Sequence, residues 1–440
     1  MTNKSVNPDS EPGFVEVSQL RIGMFVELEL GWMAHPFPTG SFKISSPKQI
    51  EVIRGLGLAR VRYIAHKSDP EALPPDGGVA GDSAQAGSAG PAPAAPLEDG
   101  RALAVRRQHA ALIAAQQQSL LACDRRFGEA IRQYRQVVDT YVAKPQAARD
   151  QCLTMVTDFV TELLGDGESS IRLLSEGMGD RATMHPVNVM VLSLLLGKSL
   201  KLAHSDMLDL GTAGFLHDIG KSALPVRVRW MDDSFSSAEY KLYQDHVVQG
   251  VGICERIELP QSVVQVVAQH HELVDGSGFP AKLKGDRISP MAKALALVNR
   301  YDNLCNPGKP SAAITPHEAL SLIFAQHKSR FDPAVLSAFI RMMGVYPPGS
   351  VVQLMDDRYA LVVSVNSSRP LKPKVIVYQR GVDKDEALIM DLEQMPALGI
   401  RRSLKPLALP REAFDYLSPR RRMCYFFERA ADPNPPESQP

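Results

Sequence analysis

The residues best suited to chemistry are an adjacent His217–Asp218 pair in GFLHDIGK and an adjacent His270–His271 pair in AQHHELVDGSGFP. His185 and His246 lie in other helix-patterned stretches of the same region, and none of these five of the eleven histidines belongs to a charged run. Neutral imidazoles and a carboxylate are what a borderline divalent cation prefers. Any one of these histidines alone reads as an ordinary core or surface residue. Together, an HD pair, an HH pair and two isolated helix histidines point to a metal centre. One carboxylate can bridge two ions while imidazoles complete each shell, and a water held between the ions becomes a nucleophile near neutral pH. That chemistry suits hydrolysis of a phosphodiester.

On these motifs, residues 175–330 resemble the HD-GYP subfamily of HD-domain phosphohydrolases. HDIGK spans His217 to Lys221, DHVVQG places His246 four residues before Gly250, and HHELVDGSGFP meets the pattern HHExxDGxGYP except that Phe279 stands where tyrosine is usual. ALALVNRYDNL resembles the helix that follows in the family. The resemblance implies a helical HD fold, a centre of two or three divalent ions, usually iron or manganese, and hydrolysis of the signalling dinucleotide cyclic di-GMP to pGpG or GMP. It implies that His185, His217 and Asp218 hold one ion, and that Asp218 as the bridge holds the second with His246, His270 and His271. Lys221 resembles the family lysine that contacts the scissile phosphate, where an ammonium stabilises developing negative charge; its rival reading is a lysine that offsets a helix dipole. Asp275, Gly276, Gly278 and Pro280 form a turn expected to shape the substrate pocket, with an ordinary surface turn as the alternative.

Two positions depart from the family pattern. Asn299 stands where the family has an aspartate ligand, and its neutral amide oxygen holds a cation less strongly, although such an oxygen still ligates hard ions. Arg181 stands where some members carry a glutamate for a third ion. A cation there repels a third ion, so a dinuclear site is expected, with Arg181 left to meet a substrate phosphate or to remain a solvated helix residue. Lys309 is the one basic candidate in CNPGKPSAAITP for the residues that follow the last helix in the family. These departures support an alternative from another class: an effector that binds cyclic di-GMP or a protein partner without turnover.

The elements that must position these groups are mainly α. Apolar residues recur at three- and four-residue spacing from 101 to 142 and again through CLTMVTDFVTELL, VNVMVLSLLLGKSL, SDMLDLGTAGFLHDIG and PMAKALALVNRYDNL. The pattern predicts a helical HD-domain bundle over 166–340, preceded by a helical connector over 101–165. A small β-containing domain is expected over 14–66, and its stretch VSQLRIGMFVELELGWMAHPF looks like the uncharacterised domain that often precedes HD-GYP. Trp32 and Phe37 are expected in its core, with contact to a partner as the alternative. A Pro-, Gly-, Ala- and Ser-rich flexible linker is expected over 67–100. Alternating β-branched residues after Tyr346 predict a C-terminal β-rich domain over 341–430, and residues 431–440 read as a disordered tail.

Composition narrows the partners. Lys plus Arg equals 49 and Asp plus Glu equals 49, so no net basic field draws in a polymeric nucleic acid. The five cysteines are scattered without a C-x-x-C spacing and read as reduced thiols. No secretory signal is expected in the polar first residues, and no apolar run is long enough to span a bilayer. The expectation is a cytoplasmic protein, with flanking domains available to a protein partner.

Overall fold

A computed structural model describes residues 13–28, 41–56, 58, 60–64, 67–69, 100–165, 167–232, 234–366, 369–395 and 397–429. The expected linker falls almost wholly outside the described residues, as do the tail, Trp32 and Phe37. The chain divides into two compact units, Met1–Ala95 and Pro96–Pro440.

In the first unit, β1 (Gly13–Glu16), β2 (Phe25–Glu27), β3 (Ser41–Lys43) and β4 (Arg60–Tyr63) form an antiparallel sheet in the order β1-β4-β2-β3. Helix α1 (Pro47–Gly55) begins at a capping box in which Ser46 and Gln49 exchange side-chain and backbone bonds. Its Ile53 joins Val15, Met24, Val26, Ile44 and Val61 in a small core.

The second unit is built round α4 (Arg181–Ser199), whose residues from Thr183 to Gly197 are all buried. A helix apolar on every side can only be the centre of a bundle. Around it are grouped α2 (Gly100–Thr140), α3 (Pro145–Leu164), α5 (His204–Leu216), α6 (Ser237–Arg256), α7 (Gln261–Gln269), α8 (Pro290–Cys305), α9 (Pro316–Gln326) and α10 (Pro333–Met343). The start signals are local. Ser236 and Glu239 form a capping box at α6, Thr315 and Glu318 another at α9, and Ser289 caps α8 ahead of Pro290.

The structure departs from the expected partition at the C-terminus. β5 (Ser169–Leu173), within the predicted helical region, pairs with both β7 (Tyr359–Asn366) and β11 (Tyr425–Arg429). β6 (Val351–Leu354), β8 (Lys374–Val377), β9 (Ile389–Asp391) and β10 (Ile400–Leu404) complete a seven-stranded antiparallel sheet, with α11 (Arg411–Leu417) leading into β11. Helices and sheet share one core, in which Phe159 of α3 packs edge-on against Phe426 and Phe427 of β11. The cause is that β5 is buried along its whole length and the adjoining helices cannot satisfy its backbone, so distant strands must pair with it. No helix among the described residues is long and apolar enough to cross a membrane.

Candidate metal centre

Four elements bring the histidines to one point. His185 lies in the first turns of α4, His217 and Asp218 at the end of α5, His246 in α6, and His270 and His271 at the end of α7. Beyond Asp218 the chain tightens into a 3-10 turn, Ile219–Ala223, that packs on α6 so closely that a Cβ on Gly220 would sit 1.9 Å from the His246 carbonyl oxygen. Glycine is needed there to let the backbones touch. His185, His217 and His246 are fully buried, and Asp218 is only 4 % exposed.

Four of the five rings are held by the far nitrogen. His217 Nδ1 is 2.8 Å from the Gly214 carbonyl, His246 Nδ1 2.5 Å from that of Tyr243 and His270 Nδ1 2.6 Å from that of Val267. A carbonyl only accepts, so in all three the proton sits on Nδ1 and the lone pair on Nε2 points inward. His185 Nδ1 meets the Asp302 carboxylate at 2.5 Å, with the same result. The Nε2 atoms of His185 and His217 then face each other at 3.3 Å, and so do those of His246 and His270. Asp218 Oδ2 lies 3.4 Å from the first pair, and its Oδ1 lies 3.6 and 3.8 Å from the second. Lone pairs converging at such distances repel unless a cation lies among them. Asp218 Oδ1 and His271 Nε2 are moreover buried without a hydrogen-bond partner. The donor set therefore fits metal ions, with Asp218 common to two clusters: His185, His217 and Asp218 in one, and Asp218, His246, His270 and His271 in the other.

Electrostatics keep this set ready. Burial opposes ionisation of Asp218, but the Lys221 ammonium and the neighbouring His217 and His185 hold its carboxyl well below the usual range. Burial holds His246 neutral, with its pKa lowered to about 4, and drives those of His270 and His271 well down. Deprotonated imidazoles and an ionised carboxylate are the forms that ligate.

Comparison with known proteins agrees with this geometry. An HD-domain family model matches residues 170–335, and one for a domain of unknown function matches residues 14–152. A cyclic di-GMP phosphodiesterase of Pseudomonas aeruginosa is 30 % identical over 373 residues, covering 83 % of this chain and 84 % of that protein. This chain belongs to the HD-GYP family of phosphohydrolases. A 3'3'-cGAMP-specific phosphodiesterase of Vibrio cholerae is 25 % identical over 163 residues, covering 37 % of this chain and 35 % of the other. Among solved structures, an HD-GYP-type protein of Bdellovibrio bacteriovorus is 14 % identical with a TM-score of 0.43, over 75 % of this chain and 98 % of that one.

In this HD-GYP chain His270 and His271 of the cluster border a cavity of about 550 Å³, within the ~300–1,000 Å³ range of small-molecule sites. Arg181, Gly278, Asn299 and Lys309 line it beside His270 and His271. Asn299 is buried, and its Oδ1 accepts from Asn303 Nδ2, whose own Oδ1 accepts from Arg181 Nη2. Arg181, only 8 % exposed, also donates through Nε to the Asn306 carbonyl at 2.6 Å and stacks 3.9 Å from the Trp230 ring. It is therefore no solvated helix residue, and its Nη1 is buried without a partner. Lys221 is buried against Asp218 and 4.8 Å from the same Trp230 ring. A Cβ on Gly278 would lie 2.4 Å from the His271 carbonyl oxygen, so this glycine lets the loop fold back on the HH pair.

Asp275 is not brought to the cavity. It is exposed, and its Oδ1 accepts from the backbone and hydroxyl of Ser277, 2.9 and 2.6 Å away, which uses the carboxylate to form the turn. Glu272, the third letter of HHE, has a comparable loop-building task, accepting from the backbones of Ala281 and Leu283 at 2.6 and 2.8 Å.

Sequence reasoning missed Asp302. It is wholly buried and accepts from His185 Nδ1, from Asn188 Nδ2 at 2.9 Å and from Asn306 Nδ2 at 2.9 Å. Both asparagines also donate to the Met423 carbonyl just before β11, and Asn306 and Asn188 in turn accept from the backbones of Met423 and Tyr425. The C-terminal strand is thus tied, through two asparagines and Asp302, to the ring of His185. The available signal was the three-residue spacing of Asn299 and Asp302 on one helix, which puts both near the same face.

Proposed function

We propose that this protein is a metal-dependent phosphodiesterase that hydrolyses cyclic di-GMP to pGpG, GMP or both in the cytoplasm. The observation that carries the reading is Asp218, a buried carboxylate shared by two histidine clusters, the second of which reaches the wall of a cavity of about 550 Å³ through His270 and His271. His185, His217 and Asp218 would hold one divalent ion, iron or manganese, and Asp218, His246, His270 and His271 a second, with Asn299 as a neutral neighbour. Bound there, such ions supply water activation and charge neutralisation at phosphorus.

The chain's own residues account for the rest. Nδ1 bonds to backbone carbonyls orient three of the rings in advance, so little reorganisation is needed when ions and substrate arrive. Lys221, buried against Asp218, would supply an ammonium for a phosphate oxygen beside the centre. Arg181 is immobilised by Asn303, Asn306 and Trp230, and keeps one N–H for a non-bridging oxygen. The substrate is drawn from the Pseudomonas aeruginosa relative, and the catalytic segment is placed over 166–340 with the flanking segments left to meet protein partners.

A second reading, a binding effector without turnover, draws on Asn299, which brings no charge to the centre. Chromatography of products decides between them after incubation of the full chain, loaded anaerobically with ferrous iron or with manganese, with cyclic di-GMP. Appearance of pGpG or GMP, lost in Asp218→Ala, supports the enzyme. Binding of cyclic di-GMP without product by the fully metallated chain supports the effector, and turnover retained in Asp218→Ala refutes the assigned bridge.

A further inference from the structure

Two cations beside the metal centre share one aromatic ring. The Arg181 guanidinium lies 3.9 Å from the centre of the Trp230 ring and the Lys221 ammonium 4.8 Å from it. They do not depend on that ring equally. Lys221 has Asp218 as its ion-pair partner and lies 5.5 Å from a second ring, that of Tyr243. Arg181 is only 8 % exposed, and among the described residues no carboxylate pairs with it; its hydrogen bonds go to neutral oxygens of Asn303 and Asn306. Burial opposes its charge, and Asp302 and Asp218 favour it only through space. A buried cation without a carboxylate at hand is costly to hold, and the electron-rich face of an indole offsets part of that cost.

The chain fixes the indole from two sides. Arg229 donates through Nε to the Leu224 carbonyl at 2.9 Å and through Nη2 to the Ser222 carbonyl at 3.3 Å, which doubles the segment back and returns Trp230 to Lys221. From the other side the loop after α8 closes on Trp230: a Cβ on Gly308 would lie 3.1 Å from the Trp230 Cβ, and Asp232 pairs with Lys309 at 2.8 Å. Met231, Asp232, Gly308 and Lys309 line the cavity together with Arg181, so both segments that hold the indole border the space open to substrate. The orientation of a planar guanidinium decides where its N–H groups point, and Nη1 of Arg181, buried without a partner, is the group left for a phosphate oxygen.

We propose that Trp230 is a positioning residue for the phosphodiesterase reaction, its indole holding the Arg181 guanidinium flat and aimed at the substrate phosphate, an inference that rests on the reading of this cavity as a cyclic dinucleotide site. Trp230 acts through Arg181 and not on the metal ions. Removing its ring face therefore weakens the contact that Arg181 makes and leaves metal affinity in place, and the effect vanishes once Arg181 itself is gone. Trp230 is only half-buried, so its replacement leaves the core intact.

The test is a double-mutant cycle on full-length, manganese-loaded protein: Trp230→Leu, Arg181→Gln and the two combined, with Trp230→Phe as the conservative variant, assayed on cyclic di-GMP. In Trp230→Leu, kcat/KM should fall about tenfold, as loss of a desolvated cation–π contact implies, while manganese affinity stays within about twofold of wild type. Trp230→Phe, which keeps a ring face, should recover part of the loss. In the Arg181→Gln background the further loss from Trp230→Leu should be about twofold or less. An equal loss in both backgrounds, a loss explained by weaker manganese binding, or no loss in Trp230→Leu would overturn the positioning role and leave the phosphodiesterase reading in place. A wild type that cleaves bis(p-nitrophenyl) phosphate but not cyclic di-GMP overturns the substrate reading instead, and the same cycle is then read on the simple diester. A metallated wild type that binds cyclic di-GMP without turnover shifts the cycle to calorimetric Kd, and one that neither binds nor cleaves either compound overturns both.

Discussion

Asp302→Asn isolates the group that orients His185. Asp302 accepts three hydrogen bonds, from His185 Nδ1 at 2.5 Å and from Asn188 and Asn306 at 2.9 Å each. An amide has one accepting oxygen and one donating nitrogen, so it cannot serve all three. With its oxygen toward His185, its N–H groups confront two asparagine donors. Those donors keep their second bonds to the Met423 carbonyl, at 2.6 and 2.9 Å, which limits the loss to two buried hydrogen bonds, about 2–4 kcal/mol at roughly 1–2 kcal/mol each. With its nitrogen toward His185, the ring must move its proton to Nε2, and the lone pair aimed at Asp218 and His217 is gone. Either way the ligand is misdirected, and affinity for a divalent ion should fall about 10–100-fold, equivalent to about 1.4–2.7 kcal/mol. Competition of manganese against a fluorescent chelator measures this, with thermal unfolding of the metal-free protein alongside. A folded variant with wild-type metal affinity would refute the claim that Asp302 orients His185.

Three further outcomes follow from the same geometry. Gly220→Ala places a methyl 1.9 Å from the His246 carbonyl oxygen and 2.5 Å from Gly250 N, so it should destabilise the fold by about 1–3 kcal/mol or more, seen as a lower urea unfolding midpoint; an unchanged midpoint contradicts the close approach. Metal-free protein should lose stability on acidification. Burial lowers the folded-state pKa of His246 to about 4, and those of His270 and His271 also fall, while the unfolded rings titrate near 6.5. Their contribution is therefore intact above pH ~6.5 and drains away toward pH ~4, at up to about 1.4 kcal/mol per pH unit for each ring, and a flat denaturation profile across that window would count against buried neutral imidazoles. Asn299→Asp adds a charge while keeping an acceptor for Asn303 Nδ2, so manganese content and hydrolysis should rise; elemental analysis showing no gain removes Asn299 from the set of residues that tune the centre.

Much of the site was legible in the sequence because metal ligation constrains residue type. Few roles other than ligation require His217, Asp218, His270 and His271 as adjacent pairs within apolar helical text, and the helices carrying them follow from a 3.6-residue period and plain capping signals. The place of Asp275 was not legible for a physical reason: a carboxylate two residues ahead of a serine serves its own turn as readily as a substrate contact, and in the fold its Oδ1 accepts from Ser277.

From its sequence alone, this protein has its metal-ligating residue types, its helical character and its family motifs, since these depend on local periodicity and on side-chain chemistry. Tertiary structure decided what long-range pairing decides. It joined β5 to β7 and β11 in one sheet, stacked Arg181 on Trp230, and set Met423 between Asn188 and Asn306, 235 and 117 residues away along the chain, so that Asp302 could hold His185. A buried carboxylate and its donors find one another only when the chain closes a shared core, because each must replace the water it loses with a partner that sequence neighbours do not provide.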